Sequence, residues 1–152
     1  MLSRVCAGCG GAGAAVCETC LAVIDGTRPS RSLPHPVPDG MPPTWSAAPY
    51  AGVVRSMIVA WKDADRVEVA PALARLLAST IVAALTDSPV ATAAITRGQP
   101  VVIVPIPSRA RSVRARGRRP LEELVARIVS GVGPVVGVMS VPALQRERAV
   151  LD

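Results

Sequence analysis

The sequence has few aromatic residues and almost no lysine. It contains no Phe, and aromatic residues make up 2% of the chain. Any core must therefore be built from Val, Leu, Ile and Ala, and recognition of single-stranded nucleic acid by base stacking is disfavoured. Lys62 is the only lysine among 17 basic residues.

Long hydrophobic runs are also missing. No uninterrupted apolar run reaches the roughly 18 residues of a membrane-spanning helix, and the N-terminal residues lack the apolar stretch of a signal peptide. These features predict a cytoplasmic protein with no membrane span. The 152 residues suffice for one domain with a small appendage, and a mean hydropathy of +0.40 argues against disorder.

The positive charge is concentrated in one segment. The net charge is +6, and six arginines fall within residues 109–119, while the rest of the chain holds 11 basic and 11 acidic residues. A local basic segment suggests a phosphate ligand, such as a nucleotide, a sugar phosphate or a nucleic-acid backbone. A solvated basic loop with no ligand is the alternative.

All the cysteines lie in the first 25 residues. Cys6-x2-Cys9 and Cys17-x2-Cys20 are separated by seven residues, and four thiolates can complete a tetrahedral zinc site. Such a closed site leaves no position for a catalytic water, so the expected role of Zn²⁺ is structural. Free or redox-active thiols are the alternative, since cytoplasmic cysteines rarely form stable disulfides.

The chain is expected to have three parts: a four-cysteine zinc knuckle at 1–25, a Pro-rich linker at 26–48, and a larger part at 49–152. Apolar periodicity in the third part predicts helices at 52–62 and 67–85, and a helix that begins near Pro120 and stops at Gly131 or Gly133. Strands are predicted at 101–104, buried on both faces, and at 135–139. Residues 88–100 are predicted to be a loop or a weak element, and residues 105–119 are predicted to be a basic loop. The order of strand, helix and strand predicts an α/β fold.

The basic loop lies between a predicted strand and a predicted helix. Ligands of α/β proteins bind at such positions, arginine grips phosphate oxygens with two hydrogen bonds, and a helix N-terminus adds backbone amides.

Three motifs occur in a fixed order. The cysteine pairs come first, Tyr50-Ala-Gly-Val-Val-Arg55 with Trp61-Lys62-Asp63 comes second, and Val101-Val-Ile-Val-Pro-Ile-Pro107-Ser-Arg109 with Arg116-Gly117 comes third. In this order they resemble the ComF-type competence proteins, which are similar to phosphoribosyltransferases. The resemblance covers essentially the whole chain and implies a type I phosphoribosyltransferase-like parallel sheet with flanking helices, here incomplete.

The resemblance also implies site residues. Arg109, Arg116 and Gly117 match family positions in the loop that faces pyrophosphate, and Arg55 and Lys62 match a basic pair after the tyrosine. By the same likeness, phosphoribosyl diphosphate is the expected ligand of the full-length form, with Mg²⁺ only where a complete site exists.

Two departures from the family pattern affect function. Arg118-Arg119-Pro120 replaces the family's Phe-Asn-Gln, and the chain contains neither Asp-Asp nor Thr-Thr-Gly, the residues of the phosphoribosyl diphosphate loop. We therefore expect a truncated member that is inactive alone, with no catalytic residue assigned. The alternative is a non-enzymatic zinc-knuckle adaptor that binds single-stranded DNA or a DNA-uptake protein through its arginines.

Overall fold

The protein is a mixed structure of helices and short strands, in which helices predominate. The computed structural model describes residues 5–136 and 138–140. The elements are α1 (Glu18–Asp25), β1 (Ser30–Arg31), β2 (Trp45–Ser46), α2 (Gly52–Asp63), a 3₁₀ turn (Val67–Val69), α3 (Ala70–Thr86), α4 (Pro89–Thr96), β3 (Val101–Ile103), α5 (Ala110–Arg116), α6 (Pro120–Val136) and β4 (Val138–Ser140). They fall into two compact units, Met1–Ala93 and Ala94–Asp152.

The helix α2 forms where the apolar periodicity predicts it. Val54, Met57 and Trp61 recur at helical spacing and are buried, and Met57 is completely inaccessible to solvent. Burial of side chains of this size contributes about 1.5–3 kcal/mol each. This face packs against α1, the 3₁₀ turn and α3 and forms much of the core of the N-terminal unit.

The helix α3 continues directly from the 3₁₀ turn, so together they cover the predicted helix at 67–85. Pro71 lies in its first turn, where a missing N–H costs nothing. Val69, Leu73 and Leu76 are buried, and the Thr80 hydroxyl donates to the Leu76 carbonyl at 2.9 Å.

The stretch Val67–Thr86 is apolar as well as long. An 18-residue window within these 20 residues has a mean hydropathy of 1.7, which by length and composition would allow a membrane crossing, and 33% of that window is buried inside the protein. Core helices of soluble proteins have the same properties, so the expected absence of a membrane span and the cytoplasmic location both stay predictions.

The Pro-rich segment folds back on itself as a small antiparallel ribbon. Ser30 pairs with Ser46 and Arg31 pairs with Trp45. The Arg31 guanidinium lies 5.3 Å from the centre of the Trp45 ring and 2.5 Å from the Asp87 carboxylate at the end of α3. The ion pair between Arg31 and Asp87 therefore attaches the ribbon to the end of α3.

The segment 88–100, predicted to be a loop or a weak element, contains the helix α4. The Ser88 hydroxyl accepts a hydrogen bond from the Ala91 N–H at 3.2 Å, and Pro89 is the first helical residue. A serine followed by proline is a helix-start signal. Of the two predicted alternatives, the structure has the weak element, because Asp87-Ser88-Pro89 both ends α3 and starts α4.

The strands β3 and β4 run parallel, with Val101 paired to Val138 and Ile103 to Ser140. The predicted burial of both faces of 101–104 was wrong, since Val102 is 47% and Val104 is 48% exposed. Among the described residues this sheet has two strands, and the face of β3 that carries Val102 is exposed. The phosphoribosyltransferase-type parallel sheet remains a prediction.

The basic segment 105–119 is partly helical rather than a loop. Residues Ala110–Arg116 form α5, and Gly117 ends it with a φ of 69°, the left-handed conformation that favours glycine at helix ends. Alanine and arginine are good helix formers, which explains the difference from the prediction.

The helix α6 begins at Pro120, as predicted, with Glu122 and Glu123 in its first turn. Leu124, Val125 and Ile128 are buried along one side. The helix runs through Gly131 to Val136 instead of stopping at Gly131 or Gly133. The predicted strand at 135–139 correspondingly starts later, at Val138.

Candidate metal centre

The first cysteine pair lies on a tight turn. The Gly10 N–H donates to the Cys6 carbonyl at 2.9 Å, and the Cys6 N–H donates to the Gly11 carbonyl at 2.7 Å. Gly10 has a φ of +80°, a conformation that side chains other than glycine rarely adopt. The turn directs Cys6 and Cys9 toward the same point.

The second cysteine pair lies at the start of α1. Cys17 precedes the helix in an extended conformation, and Cys20 lies in its first turn. The Cys17 N–H donates to the Cys6 Sγ at 3.3 Å, so the backbone of the second pair contacts the thiol of the first. The positive end of the helix dipole favours thiolates at this position.

All four sulfur atoms come together. The Sγ atoms of Cys6, Cys9, Cys17 and Cys20 lie within 4.8 Å of one another, and those of Cys9 and Cys17 are 3.7 Å apart. A tetrahedral zinc ion with Zn–S bonds of 2.3 Å requires S–S separations of about 3.8 Å. The donor set and its dimensions fit a metal ion such as Zn²⁺ bound by four thiolates, in line with the spacing of the cysteines.

The centre is buried on one side and open on the other. Cys6 and Cys20 are 3% and 1% exposed, whereas Cys9 is exposed and Cys17 is partly exposed. The buried side is closely packed, because a Cβ on Gly8 would lie 2.6 Å from the Cys20 Sγ and 3.0 Å from a Val53 methyl group of α2. The centre thus belongs to the same compact unit as α2 and α3.

The thiols of the buried side differ in acidity. Burial alone would raise the pKa of Cys6, but hydrogen bonds from the backbone of Cys9, Cys17 and Gly8 and from the Cys17 thiol lower this pKa to about 6. Burial and the neighbouring thiols, together with the charge on Cys6, raise the pKa of Cys20 to about 12. The hydrogen bonds at Cys6 therefore favour its thiolate form, whereas burial of Cys20 favours its thiol form.

The contact between Arg66 and the loop that joins the two cysteine pairs could not be predicted from the sequence. The Arg66 guanidinium donates to the Ala15 carbonyl at 3.5 Å and pairs with Glu68 at 2.8 Å. It links the loop between the cysteine pairs to the segment before α3. The close packing at Gly8, in contrast, has a signal in the sequence, since Gly8 lies between the two metal-ligand candidates Cys6 and Cys9.

The predicted phosphate-binding residues of the basic segment lie around α5. Arg109 precedes the helix, Arg116 ends it, and Gly117 follows. Arg109 is exposed and Arg116 is partly exposed. The adjacent arginines pair with the carboxylates that begin α6, Arg118 with Glu123 at 3.0 Å and Arg119 with Glu122 at 3.1 Å. Part of the segment's charge is thus neutralised locally.

The other predicted basic pair lies on α2. Arg55 and Lys62 are both exposed and are seven residues apart, which places them on the same side of the helix. Lys62 is in the last turn, where a cation is favoured by the helix dipole. The pair belongs to the N-terminal unit, whereas Arg109, Arg116 and Gly117 belong to the C-terminal unit.

Comparison with protein-family models, curated proteins and solved structures finds no match to this chain. The description of the centre therefore depends on its own geometry.

Proposed function

We propose that this chain carries a structural zinc centre that stabilises its N-terminal unit. The observation that supports the proposal is the convergence of four sulfur atoms within 4.8 Å. Zinc would be held by Cys6, Cys9, Cys17 and Cys20, and would supply cross-linking rather than catalysis, because four protein ligands leave no open position.

The zinc proposal is tested on the full chain. Purified protein should contain one equivalent of zinc by elemental analysis, and replacement of zinc by Co²⁺ should give the absorption of a tetrahedral thiolate complex. Substoichiometric metal after purification and zinc reconstitution would contradict the proposal.

We further propose that the chain is part of a ComF-type, phosphoribosyltransferase-like protein of the cytoplasm. Residues at the two ends of α5 would bind the pyrophosphate group of phosphoribosyl diphosphate, with Arg109 and Arg116 donating to its oxygens. The support is the order of the three motifs and the position of the arginines between a parallel strand and a helix. The chain has no Asp-Asp or Thr-Thr-Gly sequence, so we propose binding without turnover.

Pyrophosphate binding can be measured by calorimetry, with and without Mg²⁺. Arg109→Ala and Arg116→Ala should each weaken binding, whereas Arg127→Ala, an exposed arginine of α6, should leave it unchanged. Equal loss in all three variants would indicate a diffuse charge effect and contradict the assigned site. Release of pyrophosphate from phosphoribosyl diphosphate would contradict the absence of turnover.

A second function is favoured by the distribution of charge. Residues 94–152 hold ten basic and four acidic side chains, and residues 1–93 hold seven of each. The whole net charge of +6 therefore belongs to the C-terminal unit. A basic unit of this kind suits a non-enzymatic adaptor that binds single-stranded DNA or a DNA-uptake protein. Tight binding of an oligonucleotide without any binding of pyrophosphate would favour this function.

A further inference from the structure

The four cysteines differ in their access to solvent. Cys6 and Cys20 are almost completely buried, whereas Cys9 is exposed and Cys17 is partly exposed. A reagent from solution therefore meets the sulfur atoms of Cys9 and Cys17 first. Zinc-bound thiolates keep enough nucleophilic character to react with oxidants when they are accessible.

The accessible pair is also close enough to form a bond. The Sγ atoms of Cys9 and Cys17 are 3.7 Å apart, and a disulfide requires them to approach to about 2.05 Å. The chain between them is Gly10-Gly-Ala-Gly-Ala-Ala-Val16, which has no large side chain. Gly10 and Gly13 have φ values of +80° and +117°, and glycines allow such a loop to readjust at little steric cost.

The buried pair is held more firmly. Cys6 and Cys20 are 3% and 1% exposed, and Cys20 is packed against Gly8 so closely that a Cβ there would lie 2.6 Å from its sulfur. Oxidation at these sulfurs would require opening of the packed side of the centre. The two halves of the cluster thus differ in both access and freedom to move.

We propose that the exposed face of the centre is a peroxide-sensitive modification site, at which Cys9 and Cys17 are oxidised to a disulfide and zinc is released. This inference rests on the proposed zinc centre and adds a chemical response to it.

The reaction balances with hydrogen peroxide as oxidant. The Cys9 thiolate attacks one peroxide oxygen, the O–O bond breaks, and sulfenic acid and hydroxide form. The Cys17 thiolate then attacks the Cys9 sulfur and displaces a second hydroxide. Two electrons pass from the sulfurs to the peroxide, and two protons convert the hydroxides to water. Zinc keeps only Cys6 and Cys20 as ligands, too few for a stable four-coordinate site.

The test is a peroxide titration of the zinc-loaded full chain. Zinc release is followed with a chromogenic chelator, and disulfides are mapped by mass spectrometry after alkylation of the remaining thiols. We expect stoichiometric loss of zinc together with a Cys9–Cys17 crosslink, while Cys6 and Cys20 are recovered alkylated. Reduction with a dithiol in the presence of zinc should restore the metal content.

A ligand substitution sharpens the test. Cys9→His keeps a zinc ligand, since three cysteines and one histidine also form structural zinc sites, but removes the accessible thiolate. The variant should keep its zinc at peroxide concentrations that empty the wild-type centre.

The possible failures are distinguishable. Absence of zinc before peroxide is added would overturn the proposed metal centre. Zinc present at the start, with no release or with a first crosslink that includes Cys6 or Cys20, would overturn this inference alone. The wild-type mapping decides the question even where Cys9→His does not bind metal.

Discussion

Gly8 and Cys20 approach so closely that only a hydrogen atom fits between them. A Cβ on Gly8 would lie 2.6 Å from the Cys20 Sγ, with a Val53 methyl group 3.0 Å away. Since Val53 belongs to α2, this contact joins the turn of the first cysteine pair, the first turn of α1 and the core helix. The cysteine cluster is therefore packed directly against the core of the N-terminal unit.

Gly8→Ala is expected to weaken metal binding and to destabilise the N-terminal unit. The added methyl group must push Cys20 or Val53 aside, and overpacking of this kind costs about 1–3 kcal/mol. Competition with a zinc chelator measures the affinity, and urea unfolding measures the stability. Gly11→Ala is the matched control, since its Cβ would make an ordinary 3.5 Å contact with the Cys9 Sγ. Similar losses in both variants would contradict a specific role for Gly8.

Removal of the metal should loosen the helical core as well as the turn that carries the cysteines. Trp45 and Trp61 both lie in the N-terminal unit, and residues 94–152 contain no aromatic residue, so tryptophan fluorescence reports on this unit alone. Chelation should shift the emission to longer wavelength and lower the midpoint of thermal unfolding, and added zinc should reverse both changes, because a ligand that binds only the folded state stabilises it. Unchanged emission after complete metal removal would show that the core does not depend on the centre.

Zinc affinity should rise with pH. The pKa of Cys6 is lowered to about 6 and that of Cys20 is raised to about 12, so near pH 7 the metal-free protein offers an ionised Cys6 and a protonated Cys20. Binding must expel the Cys20 proton, so the affinity rises throughout pH 6–8. Below about pH 6 the fall should steepen, because Cys6 then also binds a proton. Chelator competition at several pH values measures this, and an affinity independent of pH would contradict it.

The same pKa values affect the stability of the metal-free fold. Because the pKa of Cys6 is lower in the folded than in the unfolded protein, its ionisation stabilises the folded state. This contribution is complete above the ordinary thiol pKa near 9 and is lost as the pH falls through about 6. The raised pKa of Cys20 acts oppositely: its contribution is complete below the ordinary value and is lost as the pH rises toward about 12. Urea unfolding of the metal-free protein should therefore show greater stability near pH 8–9 than near pH 6. A profile without this rise would contradict the ionisation of Cys6.

The sequence predicted those features that depend on spacing within one segment. The cysteine pairs indicated the cluster, and the burial of Val54, Met57 and Trp61 follows from helical periodicity. The burial of a side chain by elements distant in the sequence was less predictable. Val102 is exposed although the run of β-branched residues predicted burial, because a strand is buried on both faces only where another layer packs on each face of its sheet.

The conformation of the basic segment 105–119 was predicted wrongly from its charge. A run of arginines is typical of an exposed loop, yet Ala110–Arg116 is helical because its residues have high helix propensity. The pairing of Arg118 with Glu123 and of Arg119 with Glu122 depends on where α6 begins. The effective charge of the segment could therefore be obtained only from the structure.

The paired and the exposed arginines should contribute differently to binding of a phosphate backbone. Arg111 and Arg114 are exposed on α5, whereas Arg118 and Arg119 face carboxylates. If the segment binds single-stranded DNA, replacing Arg111 and Arg114 by alanine should reduce the slope of log affinity against log salt by about 1.4, since each backbone contact contributes about 0.7.

The matched control is the double variant Arg118→Ala, Arg119→Ala, which removes the same charge from the same segment. This variant should change the salt dependence of DNA affinity less, because the two guanidiniums are already partly neutralised by Glu123 and Glu122. It should also lower the free energy of unfolding slightly, since exposed ion pairs contribute about 0.2–1 kcal/mol each. Fluorescence anisotropy of a labelled oligonucleotide across a salt series gives both slopes. Equal slopes for the two double variants would show that the whole segment acts as one diffuse charge, and would remove the distinction that the ion pairs imply.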